Sequence, residues 1–410
     1  MTKLEKMLKY VSEHNDFYKN RIKEYGIKDP LDITQWPVLT RKELQENRYN
    51  MFSDGYESKY YNQQLRRQSS SGSTGMPINV YWDYKDWYAS NMSLWRKRQQ
   101  WYGISPQDKC VIFTLNAFNT DNDGKTIYYV TNPPNILSIN VSLINNDNSY
   151  LELIDIINRH GPKWMYIQPF TLNKLIKAYK KSGQTPPNTL KYVETVGELL
   201  GSDTRNETEK TFKIPIANMY GSEEMNCIAF EAPSNKMVVL SDNVYVEVKQ
   251  TCHISKLGCG EAIITNLNNY CQPLIRYCQG DSIIVGNENG NANKKVIEVI
   301  KGRTLNSIVV DNTYELNPLM LLEIMAEINN VFPEIIKDYK FTYNESKKNL
   351  VCHLSLNPSK HGWTDVVKLA ILQKYKQKCI FSDKCSMNIV VAELSQQHSV
   401  KKTILSIEKG

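Results

Sequence analysis

No stretch of this chain approaches the roughly eighteen uninterrupted apolar residues that a membrane-spanning helix needs. Its opening, MTKLEKMLKYVSEHNDFYKN, is amphipathic and charged where a secretory leader carries an apolar core. A membrane partner is therefore not expected, and the cytoplasm is the expected location. A disulfide framework is missing as well. The nine cysteines, an odd number, are scattered at Cys110, Cys227, Cys252, Cys259, Cys271, Cys278, Cys352, Cys379 and Cys385, which suits reduced thiols. Four of them read Cys-x6-Cys, eleven residues, then Cys-x6-Cys, with His253 beside the first. Zinc knuckles use about two to four intervening residues, so these four read as thiols packed in strands, with a metal site as the alternative. Long runs of one charge are lacking too. The net charge of +7 is spread along the chain, and the nearest basic cluster, LQKYKQKC at 372–379, reads as the solvated face of a helix. Nucleic acid is thus not an expected partner, while a mild positive field favours anions such as nucleotides, coenzyme A or an acidic carrier protein. There is no internal repeat.

What is present is an ordinary globular balance, 41% hydrophobic and 23% charged residues over 410 positions, enough to bury a sizeable core. From 149 to 219 the pattern is α/β. SYLELIDIINRHG has apolar residues at helical spacing and KWMYIQP is a short strand. FTLNKLIKAYKKSG is a second helix closed by Gly183, and LKYVETVGE is another strand. A helix from about 200 and the strand IPIANMYG follow. Strands separated by such helices pair in parallel, and ligands of such sheets gather at the strands' carboxyl ends. From about 237 short alternating runs read as an antiparallel, β-rich unit. After KGR at 301–303 the texture is mixed again: a helix in NPLMLLEIMAEINNV, a hairpin in KFTYNESKKNLVCHLSL, a helix near 364–378 and a last strand at 387–393. The tail SQQHSVKKTILSIEKG has no strong signal of its own.

One loop stands out. RRQSSSGSTGMPINVYW, residues 66–82, packs four serines, a threonine and two glycines between a basic pair and an apolar run. Its N–H groups and hydroxyls suit an anion cradle, and a slack linker is the alternative.

In order along the chain, SSSGSTGMP (69–77), VGE (196–198), NMYGSEE (218–224), GEAIITNL (260–267), PLIRYCQGD (273–281) and KGR (301–303) resemble the signatures of the adenylate-forming enzymes, in particular the phenylacetate-coenzyme A ligase-like branch. NDFYKNRI and WPVLTRKEL resemble that branch's opening. The resemblance implies an α/β fold with a large N-terminal adenylation domain, 1–302, containing mixed and parallel sheets and a β-rich subdomain, and a small mobile α+β lid, 303–410. It also implies a reaction in which a small aromatic or acyl carboxylic acid attacks ATP, forming an acyl-adenylate that a thiol of coenzyme A or phosphopantetheine then captures. Mg²⁺ is the implied metal. An acyl carrier protein and a second copy in a homodimer are admitted as partners. An amine acceptor, a silent nucleotide binder, and acyl transfer to Cys352, Cys379 or Cys385 are the alternatives.

On this resemblance Ser70, Ser71, Gly72, Ser73, Thr74 and Gly75 wrap the β- and γ-phosphates, Thr74 donating its hydroxyl. Gly197 and Glu198 line the adenine side. Asn218, Tyr220, Gly221 and Ser222 form the nucleotide floor, with the Tyr220 ring beside the base. Glu224 holds Mg²⁺, although Glu223 and Glu224 also read as the first turn of a helix. Asp281 accepts from the ribose hydroxyls, with a plain turn at Gly280-Asp281 as the alternative. Arg303 reaches a ribose or phosphate oxygen, and Lys401, or Lys402 beside it, closes over the adenylate. The acyl pocket is expected from Phe113, Asn116, Phe118 and Ile136. The chain departs from the family at Met76, Glu223, Leu305 and Asn306, and it has no glycine before the tail lysine.

Overall fold

The computed structural model describes residues 1–69, 78–114, 127–131, 133–144, 147–250, 259–288, 291–303, 308–310, 314–316, 318–333, 335–379, 382–394 and 405–408. The chain divides into two compact units, residues 1–106 with 218–300, and 107–217 with 301–410.

The first unit begins with helices set by their caps. In α1 (Lys3–His14) Thr2 and Glu5 form a reciprocal capping box, α2 (Asp16–Tyr25) runs from Asn15 to the left-handed Gly26, and α3 (Arg41–Asn47) repeats the box with Thr40 and Glu43. After α4 (Tyr56–Tyr61) come β1 (Arg66–Ser69) and β2 (Asn79–Trp82), an antiparallel pair in which Ser69 faces Asn79. The described residues on either side of 70–77 are thus fixed in paired strands. Helix α5 (Tyr84–Tyr102) follows.

In the second unit β3 (Cys110–Thr114), β4 (Tyr128–Val130), β5 (Ile136–Asn140), β6 (Trp164–Ile167) and β7 (Tyr192–Val196) alternate with α6 (Asp147–His160), α7 (Pro169–Ser182) and α8 (Ser202–Phe212). As the periodicity predicts, β6 pairs in parallel with β7; β3, which lies before the stretch read as α/β, also pairs in parallel with β5 and β6. Gly183 ends α7 at φ 68°. Alternation along β3 places Val111 and Phe113 in the same core as Leu153, Ile157, Leu172 and Leu175 of the covering helices.

The chain then returns to the first unit with β8 (Ile216–Ser222), β9 (Asn226–Glu231), β10 (Met237–Val239), β11 (Val244–Gln250), β12 (Cys259–Asn266), β13 (Tyr277–Glu288) and β14 (Asn291–Arg303). Their order in the sheet is β11-β12-β13-β14-β10-β9-β8, antiparallel as expected in the pairings β11–β12, β12–β13 and β10–β14, and antiparallel also in β9–β10 and β8–β9, which begin before that stretch. One face buries Val244, Val246, Ala262, Ile264 and Ile283 together with Met7, Leu8 and Val11 of α1.

Within the second unit, β15 (Ile308–Val310) and β16 (Tyr314–Leu316) pair, and α9 (Pro318–Val331) precedes the hairpin of β17 (Ile336–Asn344) and β18 (Asn349–Leu356). Then come α10 (Thr364–Lys378), β19 (Ser386–Val391) and β20 (Leu405–Glu408). The sheet order is β19-β18-β17-β20, with β19 and β20 parallel to their neighbours. Strand β20 is a correction: the tail reads as signal-free, yet LSIE docks beside β17, where Leu405 is buried by Phe341 and its surroundings. A four-residue edge strand is too short for periodicity to announce.

Candidate functional site

Ser70, Ser71, Gly72, Ser73, Thr74 and Gly75 lie outside the described residues, as do Lys401 and Lys402. The stem of the loop is described. Arg66 stacks its guanidinium 4.1 Å from the Trp87 ring centre, and Gln68 donates from Nε2 to Oε2 of Glu223 at 3.1 Å. The stem of the Ser/Gly loop is thereby joined to the NMYGSEE segment, 155 residues away in sequence.

That segment is a hairpin turn and does not open a helix. Ser222 pairs with Asn226 across β8 and β9, leaving Glu223, Glu224 and Met225 as the connection, and the next element is a strand. The ladder is irregular here. Tyr220 faces Ala229 while Gly221 faces Cys227, so Ile228 is an extra residue on β9 and makes a β-bulge. A Cβ at Gly221 would sit 2.3 Å from the Asn226 carbonyl oxygen, so only glycine fits. Asn218 donates its backbone N–H to Glu231 Oε2 at 2.7 Å.

Glu224 is only 2% exposed. Tyr277 donates its hydroxyl to Oε1 at 3.3 Å, Arg41 of α3 places Nη1 4.0 Å from the same oxygen, and Asn266 donates to the Glu224 carbonyl at 3.3 Å. As a test of fit for Mg²⁺, this is one buried carboxylate oxygen already facing a phenol and a guanidinium. Glu224 would offer one carboxylate to a bound Mg²⁺, and the other ligands would have to come from phosphates and water. Among the described residues no cluster of three or more His, Cys, Asp or Glu forms a protein-only metal cage. Cys252 lies outside the described residues, while Cys271 is a buried free thiol and Cys278 a half-buried one.

The PLIRYCQGD segment forms the other wall. Along β12 and β13, Glu261 faces Ser282 and Ile263 faces Cys278. Gln279, Gly280 and Asp281 therefore stand opposite a single residue, and Gly280 takes φ +82°. Gly280-Asp281 is thus a bulge inside a strand and not a free turn. It aims two buried side chains at Tyr220: the Tyr220 hydroxyl donates to Asp281 Oδ2 at 2.8 Å, and Gln279 Nε2 donates to the Tyr220 oxygen at 2.6 Å and to Asp281 Oδ2 at 2.8 Å. In the sheet order β9, β10 and β14 stand between β8 and β13, so the sheet curls to bring these side chains together.

In the second unit Gly197 follows β7 with φ 79°. Glu198 accepts the Phe170 backbone N–H on Oε2 at 2.9 Å, which satisfies a donor of the first turn of α7. Arg303 is the last residue of β14. Of the expected acyl-pocket residues, Asn116 and Phe118 lie outside the described residues and Ile136 is half-buried on β5. Phe113 packs in the α/β core, which corrects its assignment as a pocket wall, since strand alternation turns it toward the helices. Cys352, Cys379 and Cys385 are buried in the core of the sheet holding β17 and β18. Burial pushes the Cys379 thiol up to about 12 and raises Cys385 as well, the opposite of an activated nucleophile. Gln68, Tyr277, Gln279 and Arg41 escape sequence reading, because their partners are far away along the chain. Only Gln279, two residues before Asp281, carried a local hint.

Residues 68–252 match the family model described as AMP-binding enzyme. Protein CapK of Staphylococcus aureus is 23% identical over 295 residues, 70% of this chain and 62% of that protein, so the match spans less than two thirds of that relative. Among solved structures, 2-hydroxyisobutyryl-CoA ligase in the postadenylation state with R3-HIB-AMP superposes with a TM-score of 0.77 at 16% identity, covering 99% of this chain and 88% of that one. The anthranilate CoA ligase AuaEII in complex with anthranoyl-AMP reaches 0.58 at 12% identity, covering 82% and 65%.

Proposed function

We propose that this chain, an adenylate-forming enzyme in its fold and in its AMP-binding segment at 68–252, is an AMP-forming acid–thiol ligase of the phenylacetate-coenzyme A ligase-like kind. In this reading it activates a small aromatic or acyl carboxylic acid with ATP and passes the acyl group to the thiol of coenzyme A or of a carrier protein's phosphopantetheine. The observation that carries the proposal is convergence within one unit. The stem of the Ser/Gly loop, the YGSEE turn and the RYCQGD bulge, widely separated in sequence, meet through Gln68–Glu223, Tyr277–Glu224 and Tyr220–Asp281. A linker loop has no reason to be tied to the other two segments.

The chemistry assigns work to these residues. A carboxylate and a triphosphate repel, so the site must hold them in line and balance their charge. The loop hydroxyls and N–H groups of residues 70–75 surround the terminal phosphates, and Asp281 takes the ribose hydroxyls. Gly221 lets the chain pass close beneath the base. Glu224 would hold Mg²⁺ in part, and the ion would supply charge neutralisation at the phosphates. Lys401 brings an ammonium to the reacting carboxylate and α-phosphate, while Arg303 anchors a ribose or phosphate oxygen.

The test is to incubate the protein with ATP, Mg²⁺ and a panel of aromatic and short acyl acids, scoring pyrophosphate release and hydroxamate formation with hydroxylamine. Release that depends on one acid, followed by AMP release and thioester formation on adding coenzyme A or a phosphopantetheinyl carrier, is the expected result. A hydroxamate without any thioester redirects the acceptor to an amine. The absence of pyrophosphate release with every acid tested refutes the ligase reading.

A further inference from the structure

We infer that Gln279 is the positioning residue of the nucleotide site, orienting Asp281 through one carboxamide nitrogen and so setting how strictly the sugar is read. This rests on the assignment of Asp281 to the ribose made above.

A carboxylate on a strand ordinarily turns about its last side-chain bond, and a hydroxyl ligand binds well only if the oxygen lone pairs already point at it. Here the turning is stopped. Asp281 Oδ2 receives two internal donors, the Tyr220 hydroxyl and Gln279 Nε2, both at 2.8 Å. Two donors fill the two lone-pair directions of one carboxylate oxygen. The nitrogen also donates to the Tyr220 oxygen at 2.6 Å, so three polar atoms close a triangle that no single rotation can open. Gln279 is 2% exposed, and water therefore does not compete for these bonds. The bulge makes this possible: a regular strand would put Gln279 and Asp281 opposite successive partners on β12, whereas here both are gathered over one step of the ladder, with Gly280 at φ +82° between them. With Oδ2 committed to the protein, a ribose is read from the Oδ1 side in one orientation.

A residue acting this way changes discrimination as well as fold. Methionine has nearly the volume and shape of glutamine without its donors, so Gln279→Met removes the clamp and keeps the packing. The measurement is calorimetric affinity for ATP, 2′-deoxy-ATP and 3′-deoxy-ATP, which needs no knowledge of the acid. The wild type is expected to prefer ATP, and Gln279→Met is expected to bind ATP about tenfold more weakly, the loss of one well-oriented charge-assisted hydrogen bond. The deoxy analogues should weaken much less, so that the preference ratio collapses. Equal weakening of all three nucleotides would mark Gln279 as merely structural, and unchanged affinities would likewise overturn the inference. Asp281→Ala separates the two levels of the argument. If it abolishes the preference while Gln279→Met leaves it intact, the ribose reading stands and this inference fails. If Asp281→Ala keeps the wild-type preference, or the wild type itself shows none, the ribose reading fails first and takes the inference with it. Should Gln279→Met not fold by circular dichroism, Tyr220→Phe removes the second donor to the same oxygen and must lower the same ratio.

Discussion

Two glycines flank the proposed nucleotide site for different physical reasons, and substituting each by alanine separates those reasons quantitatively. At Gly221 the backbone conformation is open to any residue, and space is the constraint. A Cβ there would lie 2.3 Å from the Asn226 carbonyl oxygen, 3.1 Å from its carbon and 3.2 Å from the Met219 sulfur. The first two atoms are backbone of the opposing bulged strand and cannot swing aside, so the strands must part by about 1 Å, a strain of about 3 kcal/mol. At Gly280 nothing lies within 4 Å of the added carbon, and the whole cost is the φ of +82°, about 1 kcal/mol for a single residue. Gly221→Ala should therefore lower the urea-unfolding free energy about three times as much as Gly280→Ala. Because Tyr220 is its neighbour, it should also move the Tyr220 hydroxyl away from Asp281 and weaken ATP binding by more than tenfold. Gly280→Asn should lose less than Gly280→Ala, since asparagine tolerates the left-handed region. Urea titration and ATP calorimetry on the three variants decide the matter. A Gly280→Ala variant less stable than Gly221→Ala would refute the reasoning.

The other expectations concern charge. Glu224→Gln should cut pyrophosphate release by orders of magnitude and leave Arg41 facing a neutral amide, whereas Glu223→Gln, in the exposed part of the turn, should matter less; equal and mild effects would exclude Glu224 from the metal. Replacing Gly72 and Gly75 by Val should abolish adenylation with the melting temperature nearly unchanged, and wild-type turnover in that double variant would return the loop to a spacer. Lys401→Ala should lose about 10² to 10³ in adenylation yet still transfer a supplied acyl-adenylate to thiol, and the same pattern at Lys402 instead would shift the register by one. Asp86, buried in the first turn of α5, has its carboxyl pushed up to about 6 chiefly by that burial. The folded protein thus binds this proton more tightly than the unfolded chain does, and stability falls as pH rises from about 4 through 6. Asp86→Asn should be more stable than the wild type at pH 7.5, by up to about 3 kcal/mol, with the gap closing near pH 4; a less stable variant at pH 7.5 contradicts the burial argument.

The parts of this molecule that are local in sequence were legible and the parts that depend on pairing were not. Apolar spacing announces α7, and Gly183 marks its end, because both signals lie within one helix. The parallel pairing of β6 and β7 follows from the helix between them. The bulges at Ile228 and at 279–281 are invisible, since a bulge is a property of two strands and the sequence shows one at a time. For the same reason the helix start that Glu223 and Glu224 admit is set aside only when β9 is seen pairing back on β8. Phe113 was misassigned because a strand's two faces are distinguished only by what covers them. Gln279 sits in plain view two positions before Asp281, yet nothing local says that a strand residue and its second neighbour are folded over a single rung.

Strand β20 changes what kind of object the tail lysine is. Val391 ends β19 and Leu405 begins β20, strands at opposite edges of the same sheet, so the described residues on both sides of Lys401 are fixed in strands. Lys401 is four residues from Leu405, which keeps its Cα within about 14 Å of that buried anchor. A group on a free terminus would explore a volume that grows with every added residue, and the entropy of confining it would be drawn from whatever binding energy it contributes. With Leu405 anchored, placing a residue four positions before it costs less chain entropy than placing one on a free end, and if Lys401 acts as proposed its search is bounded by the position of one leucine.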